Sequence, residues 1–309
     1  MNNTENITDS DKNVTRPKIS VIIPTHGRSD LLIRCLKSLD VKTDVEYDVC
    51  VVDDGSGLDE REIRAKSDVS YPLLWLSFEV SKGRSAARNE GVRATSGEII
   101  VFLDSDMEAE EEFIGAHYQR HSDQRNIAVI GKINWPRNGS FGKYIGTRGV
   151  SKLKPDDTVP PWYFVTGNTS IRRSNLPSQI PFDEALPGWG GEDLDLGMRL
   201  HERGITIEYD PEAASYHNFD GDLQGHIERT YWYGFNTLPV LAARYPKIMR
   251  ITKLHLMDSI IWRMLVSKIF FIPVYGFASV LDFLPLPAAL YDYLTFASYA
   301  GGWLEGRRT

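Results

Sequence analysis

From residue 17 onward, short apolar runs alternate with amphipathic stretches along the chain. Residues 19–23 (ISVII) form a β-branched run ended by Pro24, the pattern of a strand buried on both faces. Over residues 29–39, Leu32, Cys35, Leu36 and Leu39 recur at helical spacing. Residues 47–52 (YDVCVV) predict a second strand, stopped by Asp53-Asp54-Gly55-Ser56, and residues 73–76 a weaker third. A helix is expected over 85–95, where Ala86, Ala87, Gly91 and Ala94 offer a small-residue face for close packing. Residues 99–103 (IIVFL) predict a strong strand, ended by Asp104-Ser105-Asp106. This β-α-β-α order argues for an α/β fold with a mostly parallel sheet and right-handed crossovers.

Beyond Met107 the pattern is less regular. A helix is expected over 108–119 and a strand over 127–133. Residues 143–162, rich in Gly, Lys and Pro, predict a mobile loop near the binding crevice. Gly191-Glu192-Asp193 opens a helix running to Arg203, with Gly204 as its C′ residue. Residues 213–216 predict a short strand. After Ile227 the composition turns aromatic and apolar without strand alternation, which places a boundary near Asp222. The expected organisation is a tail over 1–16, an α/β domain over 17–222 and a helical region over 223–309.

Composition narrows the class. At 25% charged and 42% hydrophobic residues, the 309-residue chain has ordinary globular usage. Its 35 basic and 42 acidic residues leave a net charge of −7, which argues against an electrostatically driven nucleic-acid binder. Cys35 and Cys50 cannot build a disulfide framework and form no CxxC knuckle, so both read as buried thiols in a reducing compartment. Residues 1–16 carry no apolar signal-peptide core and read as a disordered lead-in of a cytoplasmic protein. On that reading the sequons at Asn6 and Asn13 are accidents of composition.

Parallel sheets bind ligands outside the carboxyl ends of their strands. The three strand tips here carry Pro24-Thr25-His26, Asp53-Asp54 and Asp104-Ser105-Asp106. Carboxylates from two tips facing one crevice repel unless a cation or ligand donors sit between them. Hard oxygen donors at Asp104 and Asp106 suit Mg²⁺ or Mn²⁺, which take few protein ligands plus substrate phosphates. No GxGxxG turn follows the first strand, which disfavours a dinucleotide-binding domain.

Taken in order, ISVIIPTHGR (19–28), VVDDGS (51–56), GRSAARNEG (83–91), VFLDSD (101–106), GNTSI (167–171) and GGEDLDLGMRL (190–200) resemble a family 2 glycosyltransferase of GT-A fold. The resemblance spans about two-thirds of the chain, residues 17–220. It implies an inverting, metal-dependent enzyme that moves a sugar from a nucleotide sugar, usually a uridine diphosphate sugar, to an acceptor hydroxyl in polysaccharide or glycoconjugate synthesis. By this resemblance Pro24, Thr25, Asp53 and Asp54 hold the base and ribose. Arg28, Arg84, Arg88, Asn89, Asp104 and Ser105 belong to the same nucleotide-sugar site. Asp106 is the principal ligand of Mn²⁺ or Mg²⁺, and His217 completes the metal site. Asp193 is the general base; Glu192, Asn168, Trp189, Gly190 and Gly191 face the donor or acceptor sugar. His26 stands where the family often has Asn.

The chemistry of these side chains suits such roles. A carboxylate accepts the imide N–H of uracil, and an unpaired buried group penalises the wrong base. Arg84 suits phosphate, and Arg88 suits either phosphate or an ion pair with an acidic tip. Acids at a first helical turn gain from the dipole alone. Residues 186–191 (LPGWGG), however, are too glycine-rich and aromatic for a plain cap and suggest a backbone shaped around a sugar, with Trp189 as a stacking wall.

The C-terminal region carries six formal charges between 251 and 300, and its longest uncharged run, 269–281, has 13 residues. A bilayer span needs roughly 20 apolar residues, so no transmembrane helix is expected. Pro273, Pro285 and Pro287 predict several short helices. Trp262, Ile269, Phe270, Phe271, Phe277, Trp303 and Leu304 supply more apolar surface than a short tail needs. Two placements follow: helices packed on the catalytic domain or on a second copy, or helices lying in a membrane interface at the cytosolic face. In the second, Arg263, Lys268, Arg307 and Arg308 meet anionic headgroups and a lipid-linked saccharide is the acceptor. Two other classes predict a different sequence. A sugar-phosphate nucleotidyltransferase would carry a Gly-rich, Arg/Lys-bearing loop after the first strand, where this chain has Pro24-Thr25-His26-Gly27-Arg28. A non-catalytic sugar-binding module is disfavoured by intact Asp104, Asp106 and Asp193.

Overall fold

β1 (Ile19–Thr25) and β4 (Ile99–Leu103) are buried along their whole lengths, because both lie inside an eight-stranded sheet of order β3-β2-β1-β4-β7-β6-β8-β5. This computed structural model describes residues 18–307 apart from 124, 137–138, 155–156, 189 and 219–221. The remaining strands are β2 (Tyr47–Asp53), β3 (Leu73–Ser77), β5 (Met107–Ala109), β6 (Ile127–Asn134), β7 (Asn168–Arg172) and β8 (Thr206–His217). Strands β3, β2, β1 and β4 run parallel, as the alternation with helices predicts. The other half is mixed: β7 is antiparallel to both β4 and β6, β5 is antiparallel to β8, and β6 is parallel to β8. Among the described residues the sheet is therefore mixed, with four of its seven strand pairings parallel.

Helices α1 (Ser29–Ser38), α2 (Glu60–Ser67) and α4 (Phe113–Arg120) cover one face, burying Leu32, Cys35, Leu36, Ile63 and Phe113 against alternate residues of β1, β2 and β4. On the other face lie α3 (Arg84–Ala94) and α6 (Glu192–Glu202), with Val92, Leu196 and Leu200 in a second core. The small-residue face of α3 has a direct cause. A Cβ on Gly91 would come within 2.4 Å of Ile22 on β1, so the helix can lie this close only with glycine there. Cys35 and Cys50 are buried free thiols.

Three sequence expectations need correction. Residues 108–109, expected at the start of a helix, belong to the edge strand β5, since pairing with β8 outweighs their helix-compatible composition. The short strand expected at 213–216 is the end of a 12-residue strand. The stretch 143–162 is not a bare loop. Its start belongs to α5 (Gly139–Ile145), and 3₁₀ turns follow at Gly149–Lys152 and Pro161–Tyr163.

The C-terminal region is helical: α7 (Leu223–Trp232), a π-helical turn at Tyr233–Thr237, α8 (Leu238–Arg244), α9 (Ile248–Ile251), α10 (Ile260–Leu265), α11 (Lys268–Val280) and α12 (Ala288–Gly306). Pro273 lies inside α11 rather than between helices, and α12 runs 19 residues, longer than expected. Helix α12 crosses the π-helical turn closely: a Cβ on Gly302 would meet the Tyr231 carbonyl oxygen at 2.2 Å, and one on Gly234 the Tyr299 carbonyl oxygen at 2.1 Å. Arg244 ties the region to the α/β core through Asp195 at 2.5 Å and Asp183 at 2.8 Å. Asp282 ties it to α5, accepting from Phe141 N at 2.8 Å. Among the described residues no helix is long and apolar enough to cross a membrane.

Candidate active site

The chain leaves β4 at Leu103 and turns through Asp104-Ser105-Asp106, with Met107 N donating to Asp104 O at 3.0 Å. It then enters β5, where Met107 lies opposite His217 of β8. That pairing brings Asp106 beside His217, with Oδ2 at 3.6 Å from Nε2, while Asn218 N donates to Asp106 O at 2.8 Å. Trp135, just past the end of β6, stacks on the His217 ring at 4.5 Å between centroids. Asp106 Oδ1 is buried and has no hydrogen-bond partner among the described residues. Burial holds the Asp106 carboxyl above its usual range, against the opposing pull of His217.

Because β7 runs antiparallel to β4 with Asn168 opposite Leu103, the residues just before β7 lie beside the Asp104 tip. Gly167 O accepts from Asp104 N at 3.2 Å. Thr166 donates through its hydroxyl to Asp193 Oδ1 and through its amide to Oδ2 at 3.3 Å. The first turn of α6 thus meets the end of β4, and Arg88 joins them. Its side chain, 1% exposed, places Nη2 at 2.8 Å from Asp104 Oδ1 and Nη1 at 3.2 Å from Glu192 Oε1 and 3.4 Å from Asp193 Oδ1. Arg84, one helical turn earlier, reaches Glu192 Oε1 at 3.5 Å.

The electrostatics split these acids. Burial alone would raise Asp104, but Arg88, with Arg84, holds it below the usual carboxylate range. Asp193 is pushed up to about 6 by burial and by Glu192 alongside, with Arg88 and Thr166 opposing. Four carboxylates, Asp104, Asp106, Glu192 and Asp193, face two arginines, so the crevice is acidic. An orphaned Asp106 oxygen next to an imidazole fits a hard divalent cation that completes its shell with phosphate oxygens. Among the described residues no group of three or more His, Cys, Asp or Glu could hold a metal by itself.

The other expected residues sit as follows. Pro24 and Thr25 end β1, and Thr25 is buried with its hydroxyl toward Gly27 O at 3.3 Å. Asp53 accepts from Ser56 N at 3.1 Å and Leu58 N at 3.2 Å, and so shapes the turn after β2. Asp54 accepts from Ser81 Oγ and Lys82 N, both at 2.7 Å, and from Gly83 N, which fixes the loop entering α3. Arg28, half exposed, adopts φ 55° and lies 3.6 Å from Asp30. Ser105 is half-buried at the centre of the acidic turn.

Two expected residues are not brought to the crevice. Asn89 is fully buried and bonds Phe182 O, Phe182 N and Glu184, clamping that segment against α3. Asn168 is also fully buried. Its amide donates to Ala213 O at 2.9 Å and Ser215 Oγ at 3.0 Å, and its oxygen faces His117 Nε2. Trp189 lies outside the described residues, as do the tail 1–16 and Arg308. Gly190 and Gly191 adopt φ +80° and +95°, and a Cβ on Gly191 would meet Thr237 at 2.6 Å and Leu241 at 2.9 Å. The glycine-rich loop is therefore moulded against the π-helical turn, with Thr237 donating to Pro187 O. Sequence reasoning missed Thr166, Trp135 and this π-helical contact. Thr166 directly precedes GNTSI and Trp135 directly follows a strand, so position at a strand tip was the available signal.

A cavity of about 730 Å³ has Trp135 in its wall, with Lys132, Lys143, Tyr209 and Tyr216.

A glycosyl transferase family 2 profile matches residues 20–181, and a profile described as the N-terminal domain of galactosyltransferase matches 148–220. Glycosyltransferase YfnE of Bacillus subtilis is 28% identical over 253 residues, covering 65% of this chain and 64% of that protein. The match thus spans under two thirds of the relative's own length. Mannosyltransferase PcManGT from Pyrobaculum calidifontis, solved with GDP-Man and Mn²⁺, aligns with a TM-score of 0.60 at 17% identity, over 95% of this chain and 88% of that one. S. aureus TarS 1-349 in complex with UDP-GlcNAc aligns with a TM-score of 0.56 at 17% identity, over 94% and 92%. At such identity the likeness is one of fold, and the fold is GT-A-like.

Proposed function

The chain belongs to glycosyl transferase family 2, and on that premise we propose that it transfers a sugar with inversion from a nucleoside diphosphate sugar, of the uridine type, to a saccharide hydroxyl. The observation that carries this reading is the convergence on Arg88. One buried guanidinium joins Asp104, at the end of β4, to Glu192 and Asp193, at the start of α6. A crevice so built has a metal-and-phosphate side at Asp106 and a proton-accepting side at Asp193.

On the donor side, the turns held by Asp53 and Asp54 frame the base and ribose, with Pro24 and Thr25 at the floor. Arg84, partly exposed beside Glu192, faces the diphosphate. Asp106 and His217 would hold Mn²⁺ or Mg²⁺, which supplies positive charge against the diphosphate leaving group when bound. Mn²⁺ accompanies GDP-Man in the Pyrobaculum mannosyltransferase.

On the acceptor side, Asp193 takes the proton of the attacking hydroxyl. A carboxylate raised to about 6 is a stronger base than an ordinary one and is still ionised at neutral pH. Thr166 fixes the plane of that carboxylate through two hydrogen bonds. Attack from the face opposite the leaving group is a single displacement, so the anomeric configuration inverts without a covalent intermediate. The cavity beside Trp135, Tyr209 and Tyr216 offers aromatic faces on which an acceptor saccharide stacks, with Lys132 and Lys143 at its rim.

The test is incubation with a panel of nucleotide sugars, reading release of nucleoside diphosphate and the anomeric configuration of the product by NMR. Turnover with a uridine diphosphate sugar and an inverted product is expected. A retained configuration, or turnover of none of the panel in the presence of Mn²⁺ and candidate acceptors, overturns the reading.

A further inference from the structure

Eighteen large apolar side chains are exposed among the described residues, and twelve of them lie between Ile260 and Leu284. Ile269 is 80% exposed, Phe283 77% and Val280 72%. Helix α10 buries no residue at all, and α11 buries only Ala278. The inner side of α11 is equally apolar, packing Phe271, Val274 and Tyr275 onto α12 and α5. A helix apolar on both sides is not built to face water on one of them. Helix α12 differs: Tyr291, Leu294, Ala297 and Trp303 are buried, so the unpartnered surface belongs to α10, α11 and the turn after α11 that carries Phe283 and Leu284.

We propose that the outer face of α10 and α11 docks on an anionic phospholipid surface, as a helix pair lying in the interfacial plane. Neither helix can span a bilayer, since α11 has 13 residues and α10 six. The charge around the face selects the occupant. Between 246 and 284 the chain has five cations, Lys247, Arg250, Lys253, Arg263 and Lys268, and two acids, Asp258 and Asp282. All five cations are exposed. Asp282 is turned inward, accepting from Phe141 N and from Tyr291 Oη at 2.6 Å. A protein of net charge −7 thus gathers a rim of five exposed cations on, and directly before, the two helices that carry its exposed apolar face. A second copy is a poor occupant, because a two-fold interface would bring two such rims together. Anionic headgroups match the rim, and acyl chains match Ile269, Val280 and Phe283. Asp282 also links this face to α5, whose Lys143 lines the cavity beside Trp135, so a membrane-borne acceptor would lie on the same side as that cavity. The docking itself rests on the exposed face and not on the reading of the reaction.

Flotation of the full chain with vesicles tests this. Binding is expected to phosphatidylcholine vesicles containing phosphatidylglycerol, with much weaker binding to phosphatidylcholine alone and loss at high salt. The double variant I269D/V280D is expected to lose flotation while keeping its thermal unfolding midpoint and nucleotide binding. Charge reversal in K253E/K268E is expected to weaken partition onto anionic vesicles by at least about tenfold. Absence of flotation, or equal binding to neutral vesicles, overturns the proposal. So does a dimer in light scattering that I269D/V280D dissociates, which would make the face an interface between copies.

Discussion

Arg88 Nη2 donates to Asp104 Oδ1 at 2.8 Å while the same guanidinium holds Glu192 and Asp193. The residue is therefore both the keystone of the fold around the crevice and the charge that keeps three acids together. Arg88→Gln leaves those acids facing one another with only Arg84 nearby. Breaking a buried ion-pair network costs about 3–5 kcal/mol, so denaturant unfolding should show a loss of that size. Arg88→Lys should recover only part, because one ammonium cannot reach across to all three carboxylates. A loss below about 1 kcal/mol in Arg88→Gln would show that water, not the guanidinium, compensates the acids.

Asp193 gives the second prediction. Asp193→Asn keeps the size of the side chain and one acceptor oxygen for Thr166 but cannot take up the proton of the attacking hydroxyl, and the rate of transfer should fall by about 10²–10⁴. Nucleotide affinity by calorimetry should stay within a few-fold of the parent protein. The pH profile follows from the carboxyl raised to about 6. The base works only when deprotonated, so activity should be lost as pH falls through about 6, and Thr166→Val should move that limb. A profile flat from pH 7 to pH 5 would remove Asp193 from the role.

Asp106 gives the third. Its buried, unpartnered oxygen and the adjacent His217 predict that chelation stops turnover and that Mn²⁺ or Mg²⁺ restores it. Asp106→Asn should melt near the parent temperature yet bind Mn²⁺ and nucleoside diphosphate less tightly, measured by calorimetry with each alone and together. Unchanged turnover in excess chelator would sink the assignment.

These residues were unequally legible in the sequence. Strands β1, β2 and β4 announce themselves because each is a short, predominantly apolar run closed by Pro or Asp, and the acidic tips follow from where those runs stop. Asp106 and His217 are joined at the sequence level only by the family resemblance, because their adjacency depends on the Met107–His217 pairing. That edge strand has three residues, too few for periodicity to show. Pro211 interrupts β8, which is why only its second half was read as a strand. Asn89 and Asn168 stood inside motifs that suggested ligand contact, whereas both are buried ligaments between elements. The fit of Gly190 against Tyr233 and of Gly191 against Thr237 belongs to a π-helical turn, which no local pattern encodes. Glycine richness was visible there, and the partner was not.

The last prediction concerns acid stability and a buried histidine chain. Asn168 donates its amide protons to Ala213 O and Ser215 Oγ, so its oxygen faces His117, and His117 Nε2 must carry the proton between them. His117 Nδ1 then accepts from the Ser170 hydroxyl, to which His121 Nε2 donates. Both rings are neutral by this assignment, and His121 Nδ1 is buried without a hydrogen-bond partner among the described residues. Burial pushes His117 down to about 4 and His121 to about 3, and buried His226 likewise to about 4. In the unfolded chain these rings titrate near about 6.5. Above that pH both states are neutral and stability is at its full value. As pH falls from about 6.5 toward 4, only the unfolded chain takes up protons, so stability declines by on the order of 1 kcal/mol per pH unit for each ring. Asp193, raised to about 6, acts oppositely below that pH, as do Asp106 and Asp48, whose carboxyls burial also raises, so the three acids offset part of the loss from the three rings. Urea unfolding should therefore show a clear loss of stability between pH 6.5 and pH 4.5. Replacing His121 with Gln should flatten that slope by about one proton's worth. A stability curve level across the window would mean that the folded protein charges these rings as readily as the unfolded chain does.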